Sequence, residues 1–527
     1  MNGNHSPANA IGPFKIPSTR LTWAHLRVAI AVVAILIIVV QIFGARQYIY
    51  EGESRHHSGN LGDTVIYGLG DTYELVEFTR SALTCITQNQ WSGCQGAGRF
   101  ALFQYLPAAV LVTSGYTTGQ AMRALGELNL LSFWVLIIAT IAFFGRRRIL
   151  ETLLFLLLII TSPLLVYARS SFGEMIAMVL TCLYGMAVMT RQRWWVTAAL
   201  GLLVGATKDI AAPFVALLGL AALGPDLIAA PRRLRPQVFI VLAASVFAFL
   251  ASAAFNYFRF GTVFNEVYLS ILPAPSLPMS VSYLIALWIA PNFGMLFFWT
   301  TLWAFVGTLA VTLWRQYQLR PREGVGSLAP WFPFLASVGV ILGLSLGLSR
   351  TGYATAGFSW PPRYLLPWCP VVLLILLHHY GEAIRRMLTG PIRRPMLVGA
   401  IALISLCGLP NLAVNFRPHR LSATSNIPFE PGCPRVPWPW NATAAEQQYY
   451  FDCEWYRKWR PQRSTQLEAL KVVTGVTADR SYALSAVAYA SLVAVLCLEI
   501  RRRTALRQMP VTRGSGRCVP VSEEHIG

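Results

Sequence analysis

Charged residues are scarce in this sequence, and lysine is nearly absent. Only 13% of the 527 residues are Asp, Glu, Lys or Arg, and four residues are lysine. A typical soluble domain carries about 25% charged residues. Hydrophobic residues make up 55% of the chain, and the mean hydropathy is +0.50. This balance excludes an ordinary soluble protein and predicts a chain that lies largely in lipid.

Signatures of several enzyme classes are missing as well. The sequence has no G-x-x-x-x-G-K-[ST] phosphate loop, no H-E-x-x-H and no G-x-S-x-G. These absences argue against soluble nucleotide chemistry, a zincin metal site and a hydrolase nucleophile. The apolar runs are also nearly free of ionisable residues in their interiors. Pumps and ion-coupled transporters usually carry such residues near the middle of the bilayer, so that class is disfavoured.

The chain instead contains a series of long apolar runs. Most of them are long enough to cross a bilayer as a helix, and the runs at Trp195 and Ile210 are shorter. The runs begin near Leu26, Leu128, Leu150, Met175, Trp195, Ile210, Val238, Met295, Trp331, Tyr364, Met396 and Tyr482. The sequence therefore predicts an all-α fold, a polytopic transmembrane bundle of about twelve helices with extracytoplasmic loops and juxtamembrane helices.

Arginine clusters occupy every second loop between these runs. They lie at 146–148, 191–193, 232–235, 315–322, 385–394 and 501–503. Because cytoplasmic loops are enriched in Arg and Lys, the alternation predicts that both termini are cytoplasmic. It also accounts for the net charge of +20 without nucleic acid as a partner. The preference for arginine over lysine suggests a bacterium with a GC-rich genome, and hence its inner membrane.

The polar segments divide the chain. We expect a cytoplasmic tail at 1–25, a transmembrane core at 26–380, C-terminal spans at 381–500 and a cytoplasmic tail at 501–527. The two long external loops are expected at 45–126 and 415–480. The first loop contains an amphipathic stretch at 99–107, which is expected to lie along the membrane surface. The first apolar run lacks an Ala-x-Ala cleavage site and is expected to be a retained anchor.

The cysteines fall into two groups. Four lie within apolar runs and are predicted to be small core residues, namely Cys182, Cys369, Cys407 and Cys497. Two local pairs lie in the external loops, namely Cys85 with Cys94 and Cys433 with Cys453. An oxidising compartment makes disulfides a reasonable hypothesis for both pairs, although spacing alone proves no pairing.

Acids and bases gather at the external ends of the runs. They are Asp71, Glu74, Arg169, Glu174, Lys208, Asp209, Arg259, Glu266 and Arg363. Such a collection at one membrane face suits a reaction on a lipid head group.

These residues belong to an ordered set of motifs. The motifs are G-D-T-Y-E at 70–74 followed by S-A-L at 81–83, Y-A-R at 167–169 with Glu174, T-K at 207–208, F-N-Y-F-R-F-G at 255–261, A-P-N-F-G at 290–294 and F-S-W-P-P-R-Y-L-L-P at 358–367. Their order and external placement resemble the GT-C superfamily of glycosyltransferases, integral membrane enzymes that use polyprenyl-phosphate sugars. The last motif is similar to the family element W-G-P-R-Y-L-x-P, with Pro361 where glycine is usual. The resemblance covers residues 20–380.

The resemblance implies a catalytic base in the first external loop. That role maps onto Asp71, and Asp63 in a similar Gly-Asp-Thr context is its rival. Glu74 is a further catalytic candidate in the same motif. Gly-Asp-Thr is also ordinary turn and cap chemistry, so a purely structural role for these acids stays open.

Positive groups must steady the phosphate that departs. Arg363 is the favoured candidate because it lies in the best-matched motif and its planar fork suits phosphate. Lys208 is the next, with snorkelling to the interface as its structural alternative. Arg169 is a further candidate. Arg259 is the last, and a loop-fixing ion pair with Glu266 is slightly favoured for it.

The metal requirement stays open at this point. Glu174 opens a predicted span, where a carboxylate also favours the helix N-terminus. With Asp71 it is a candidate ligand for a divalent cation, Mg²⁺ or Mn²⁺, as in the metal-dependent branches of the superfamily. Aromatic residues of the second external loop are candidates for stacking on sugars, although interfacial belts explain such residues more often.

The sequence and the resemblance together predict an inverting glycosyltransferase. It would move one sugar from a polyprenyl-phosphate donor to an extracytoplasmic lipid, glycan or protein, with the active site outside and with membrane lipids around the chain. A lipid-glycan flippase or exporter is the alternative from another class, and a non-catalytic membrane scaffold is the second.

Overall fold

The computed structural model describes most of the predicted transmembrane region. The described residues are 23–44, 69–98, 100–145, 148–168, 173–208, 211–229, 231–265, 277–289, 294–318, 329–349, 364–389, 407–412 and 480–508. Within these ranges the regular structure is helical and includes no strand. The predicted all-α fold is confirmed.

The α-helices are numbered here in chain order, and a short helical stretch at 407–412 carries no number. They are α1 (Trp23–Gly44), α2 (Leu69–Thr87), α3 (Leu102–Thr113), α4 (Thr118–Phe144), α5 (Ile149–Ile160), α6 (Leu164–Ala168), α7 (Glu174–Met189), α8 (Trp194–Gly205), α9 (Ala212–Leu223), α10 (Asp226–Ala229), α11 (Pro231–Phe260), α12 (Leu277–Ile289), α13 (Met295–Phe298), α14 (Thr300–Gln318), α15 (Phe332–Ser349), α16 (Cys369–Thr389) and α17 (Arg480–Gln508).

Several of these helices have the length and composition of membrane spans. Among the described residues, five stretches qualify, namely His25–Ile42, Thr118–Phe144, Pro231–Phe260, Ala329–Ser349 and Arg480–Ala505. Shorter apolar helices include α5, α7, α8 and α9. The protein is therefore a helical membrane protein, and the number of twelve crossings stays a prediction.

Helix α5 forms the centre of the bundle. All of its residues from Ile149 to Ile160 are buried, as expected for a helix that is apolar on every side and enclosed by other helices. It contacts α1, α4, α16 and α17. Helix α11 lies at the periphery, where Phe239 and Phe247 are 72% and 63% exposed. Lipid would cover that side of α11.

Ion pairs mark one end of the bundle, which we call the inner face. Arg27 near the start of α1 pairs with Glu499 near the end of α17. Glu151 at the start of α5 lies 3.2 Å from Arg385 near the end of α16. The far end of α5 lies beside the first half of α17, because a Cβ at Gly408 would contact both Thr161 and Tyr489. Both pairs therefore lie at the same end, the one predicted to be cytoplasmic.

Three segments near the external ends of the predicted spans are helical. Residues 70–74, within the predicted external segment 45–126, form the start of α2, because Leu75, Val76 and Thr79 recur at helical spacing and are buried. Arg259 lies in the last turn of α11. Helix α4 begins at Thr118, before the predicted end of the external loop at 126, because Ala121 and Met122 already pack in the core.

The cysteine predictions are partly confirmed. Cys85 and Cys94 form a disulfide. Cys182 and Cys369 are free and buried, whereas Cys407 and Cys497 are half-buried. Cys433 and Cys453 lie outside the described residues.

Candidate active site

Glu174 and Lys208 lie together at the opposite end of the bundle, which we call the outer face. Glu174 is the first residue of α7, directly after the N-cap Gly173. Lys208 follows the end of α8. Its Nζ lies 3.0 Å from Oε1 of Glu174. These two predicted site residues are therefore brought into direct contact.

The two side chains differ in access to solvent. The side chain of Glu174 is 1% exposed and that of Lys208 is 21% exposed. A buried carboxylate requires a partner, which the ammonium supplies. The N-terminus of α7 also favours negative charge at Glu174.

Tyr364 completes this cluster. The Nζ of Lys208 lies 4.8 Å from the centroid of the Tyr364 ring, within the range of a cation–π contact. Tyr364 precedes α16, and Arg385 near the other end of α16 lies on the inner face. The cluster of Glu174, Lys208 and Tyr364 is therefore at the outer face. We call it the outer cluster.

The first turn of α3 lies against the outer cluster. The backbone N–H of Phe103 donates to the carbonyl oxygen of Ala206 at 2.9 Å, two residues before Lys208. The side chain of Gln104 lies beside Gly173, where an added Cβ would approach its Nε2 to 2.6 Å. The predicted amphipathic stretch at 99–107 thus leads into a helix that touches both α7 and α8 at their outer ends.

Helix α2 carries two of the candidate acids and packs against α3. Asp71 lies in its first turn, and Glu74 is half-buried one turn later. Leu75 and Val76 pack in one hydrophobic cluster with Tyr105 of α3. Helix α2 therefore packs on the helix that borders the outer cluster, and the catalytic roles of Asp71 and Glu74 stay predictions.

Arg259 is enclosed away from Lys208. Its guanidinium is completely buried and donates to the carbonyl oxygen of Gly98 at 3.1 Å. It also donates to the carbonyl oxygen of Phe100 and to Oδ1 of Asn256. Its role as a phosphate ligand stays a prediction, and the geometry favours the loop-fixing alternative, here through carbonyl oxygens.

Several predicted residues lie outside the described residues. They are Asp63, Arg169, Asp209, Glu266 and Arg363. Arg363 directly precedes Tyr364 in the sequence, so its motif leads into the outer cluster.

The ammonium of Lys208 occupies the position beside Oε1 of Glu174 that a divalent cation would need. A metal ion bound there would lie against the ammonium of Lys208, a group of the same sign. Within the described part of the chain, no group of three or more His, Cys, Asp or Glu side chains has the arrangement of a metal site. The metal prediction with Asp71 stays a prediction.

Comparison with known proteins found similarity in structure only. No family model matches the sequence, and no curated protein matches it. A crystal structure of ArnT from Cupriavidus metallidurans bound to undecaprenyl phosphate is similar with a TM-score of 0.41 and 16% identity, over 92% of this chain and 79% of that chain. The apo state of the same protein is similar with a TM-score of 0.38 and 16% identity, over 91% and 77%.

Sequence reasoning missed two contributors to the site. Tyr364 stands next to Arg363 in the best-matched motif, yet only the structure reveals its ring beside Lys208. Gln104 lies in the amphipathic stretch, where nothing in the sequence indicates contact with Gly173. The contact between Arg259 and Asn256 could have been predicted from the sequence. Asn256 is three residues earlier on the same helix, a spacing that makes side chains neighbours.

Proposed function

We propose that this protein is an inverting glycosyltransferase that moves one sugar from a polyprenyl-phosphate donor to an extracytoplasmic acceptor. The observation that carries the proposal is the outer cluster, in which a partly exposed lysine lies against a buried carboxylate at the outer face. The ordered motifs at 70–74, 207–208 and 358–367 support it, because their order resembles that of the family and because Lys208 and Tyr364, from two of them, meet in the outer cluster.

Lys208 is assigned to the donor phosphate. An ammonium is a compact point charge on a flexible stem and offers three donors. Held by Glu174 on one side, it presents its remaining donors toward the exposed side of the cluster. There it would stabilise the negative charge that develops on the phosphate as the sugar departs. Arg363 is the second proposed phosphate ligand.

Asp71 is assigned to the acceptor hydroxyl. Its carboxylate would remove the hydroxyl proton while the acceptor oxygen forms a bond to the anomeric carbon of the sugar. The bond between that carbon and the phosphate oxygen breaks, and the polyprenyl phosphate leaves with the bonding electron pair. Attack from the side opposite the leaving group inverts the anomeric configuration.

Transfer by purified protein tests the proposal. The protein in lipid nanodiscs would be incubated with a radiolabelled polyprenyl-phosphate sugar and extracts of envelope lipids and glycans. We expect label to move to an acceptor or to water. Parallel proteoliposomes separate the alternatives, because transbilayer movement of the donor without transfer would indicate a flippase, and neither reaction would indicate a scaffold.

Paired variants of the two Gly-Asp-Thr motifs test the base. Asp71→Asn should lower kcat by about 10²- to 10⁴-fold, the usual contribution of general base catalysis, while expression and thermal stability stay at the parent level. Asp63→Asn is the matched control and should retain activity. If Asp63→Asn is inactive and Asp71→Asn is not, the base is Asp63.

A further inference from the structure

Arg259 holds a loop that lies between the disulfide and α3. The loop, residues 94–100, receives two hydrogen bonds from Arg259, to the carbonyl oxygens of Gly98 and Phe100. The guanidinium also lies over the Phe255 ring, with Cζ 4.4 Å from the centroid. A completely buried cation with these contacts is a fixed support instead of a mobile ligand-binding group.

The same loop is tied to its neighbours at three other points. Cys94 is bonded to Cys85 of α2, and its backbone N–H donates to the carbonyl oxygen of Phe258 at 3.0 Å. The hydroxyl of Tyr105 donates to the carbonyl oxygen of Ala97. The loop is therefore joined to α2, α3 and α11 within a few residues.

Gly98 shows how closely the loop is packed. Its φ is +66°, in the left-handed region, and an added Cβ would come within 2.0 Å of the Phe78 ring. Any other residue type would have to displace the Phe78 ring and adopt a backbone conformation that L-residues disfavour. The carbonyl of this glycine is one of the two that Arg259 binds.

The loop leads directly into the helix that borders the outer cluster. Ala101 is the N-cap of α3. The next residues make the contacts with Ala206 and Gly173, which adjoin Lys208 and Glu174. A shift of the loop would therefore move the first turn of α3 relative to both members of the ion pair.

We infer that Arg259 is a positioning residue for the outer cluster. It fixes residues 94–100, and through them it fixes the first turn of α3 against the outer ends of α7 and α8. The effect of Arg259 on sugar transfer rests on the proposed function, whereas its effect on the α3 contact does not. Arginine suits this role because its planar guanidinium offers five donors in a fixed fork, whereas lysine offers three on a flexible stem.

An engineered cross-link measures the α3 contact directly. A Cβ at Gly173 would lie 3.2 Å from Cγ of Gln104, the atom that the sulfur of a cysteine at 104 would replace, so cysteines at both positions bring the two side chains within reach of a disulfide. The parent for the test is Gln104→Cys/Gly173→Cys in the otherwise native chain. Mild oxidation followed by proteolysis and mass spectrometry gives the rate of bond formation.

The expected result is a slower cross-link when the support is removed. Adding Arg259→Ala should lower the rate about fivefold or more, because losing the support lets the two positions drift apart. Arg259→Lys should give an intermediate rate. Arg385→Ala is the matched control, since it removes a buried arginine contact on the inner face and should leave the rate unchanged. An unchanged rate in Arg259→Ala, or an equal loss in Arg385→Ala, would overturn the inference.

A second comparison keeps the test decisive if Arg259→Ala does not fold. Asn256→Ala removes one partner of Arg259 and should slow the cross-link to a smaller extent. In the native cysteine background, Arg259→Lys should raise KM for the donor more than it lowers kcat, because the site is displaced without losing a reacting group. If the native protein shows no transfer but the cross-link still depends on Arg259, the proposed function fails and the positioning role stands.

Discussion

The two faces of the bundle hold buried carboxylates in different ways. On the inner face, Glu499 is 1% exposed and is bound by Arg27 and Arg503. Glu151 is completely buried and pairs with Arg385. On the outer face, Glu174 is equally buried, but its described ion-pair partner is Lys208. The chain has four lysines in all, and one of them stands here, whereas arginines pair with the buried carboxylates of the inner face.

The difference agrees with a structural role for the inner pairs and with the proposed functional role for the outer pair. Arg27 and Glu499 are 472 positions apart, and their pair joins the first and last described helices. Glu174 and Lys208 are only 34 positions apart and lie at the outer ends of α7 and α8, which a short connection already joins. An arginine fork is always charged and fixed in geometry, whereas an ammonium can turn from one anion to another. The inner pairs hold the bundle, and the outer pair is suited to a ligand.

The largest expected effect is on the inner face. Arg385→Met leaves Glu151 buried without its arginine, and breaking a buried pair in this way costs about 3–5 kcal/mol. We expect a marked loss of thermal stability in detergent and unchanged kcat in the protein that remains folded. The double variant Glu151→Gln/Arg385→Met should recover most of the loss. A loss of kcat without a loss of stability would contradict the structural reading of the inner face.

Lys208→Met on the outer face should lower transfer as well as stability, because it also leaves Glu174 buried without its lysine. We expect kcat/KM for the donor to fall about 100-fold, which corresponds to about 2.7 kcal/mol of transition-state stabilisation. Glu174→Gln/Lys208→Met removes the buried carboxylate as well and should restore folding without restoring transfer. Lys208→Arg keeps the charge and should retain part of the activity. Full activity in a stable Lys208→Met protein would contradict the assignment of different roles to the ion pairs of the two faces.

The disulfide between Cys85 and Cys94 is a covalent link on the outer face. The inner face is held by ion pairs instead. The two cysteines are 9 positions apart, and closing a loop of this size is worth about 2–3 kcal/mol by the chain-entropy model. Cys85→Ser/Cys94→Ser should therefore increase proteolysis and amide exchange in residues 88–100 while α5 and α16 stay protected. Equal loss of protection on both faces would show that the two ends are not independent.

Features that depend on one segment of the chain could be predicted from the sequence, whereas features that depend on contacts between distant segments could not. Apolar runs and arginine clusters are properties of single segments, so the helical membrane fold could be read from them. Cys85 and Cys94 are close in the chain, so their pairing could be proposed from spacing and compartment.

Contacts between distant segments could not be predicted in the same way. Glu174 and Lys208 were both candidates, but nothing local indicates that their side chains meet. Arg259 illustrates the limit most clearly, because its motif suggested a phosphate ligand or an ion pair. Two of its partners are backbone carbonyls more than 150 positions earlier in the chain, and backbone carbonyls have no signature in a sequence.

The smallest expected effect concerns the ring beside Lys208. A partly exposed cation–π contact is worth about 0.5–1 kcal/mol, so Tyr364→Leu should weaken donor binding by about two- to fivefold and leave kcat nearly unchanged. Tyr364→Phe keeps the ring and should be closer to the native protein. Binding of the donor to immobilised nanodiscs measures the difference. If Tyr364→Leu were as damaging as Lys208→Met, the tyrosine would act on the substrate itself, and the outer cluster would contain a third functional group instead of a supporting ring.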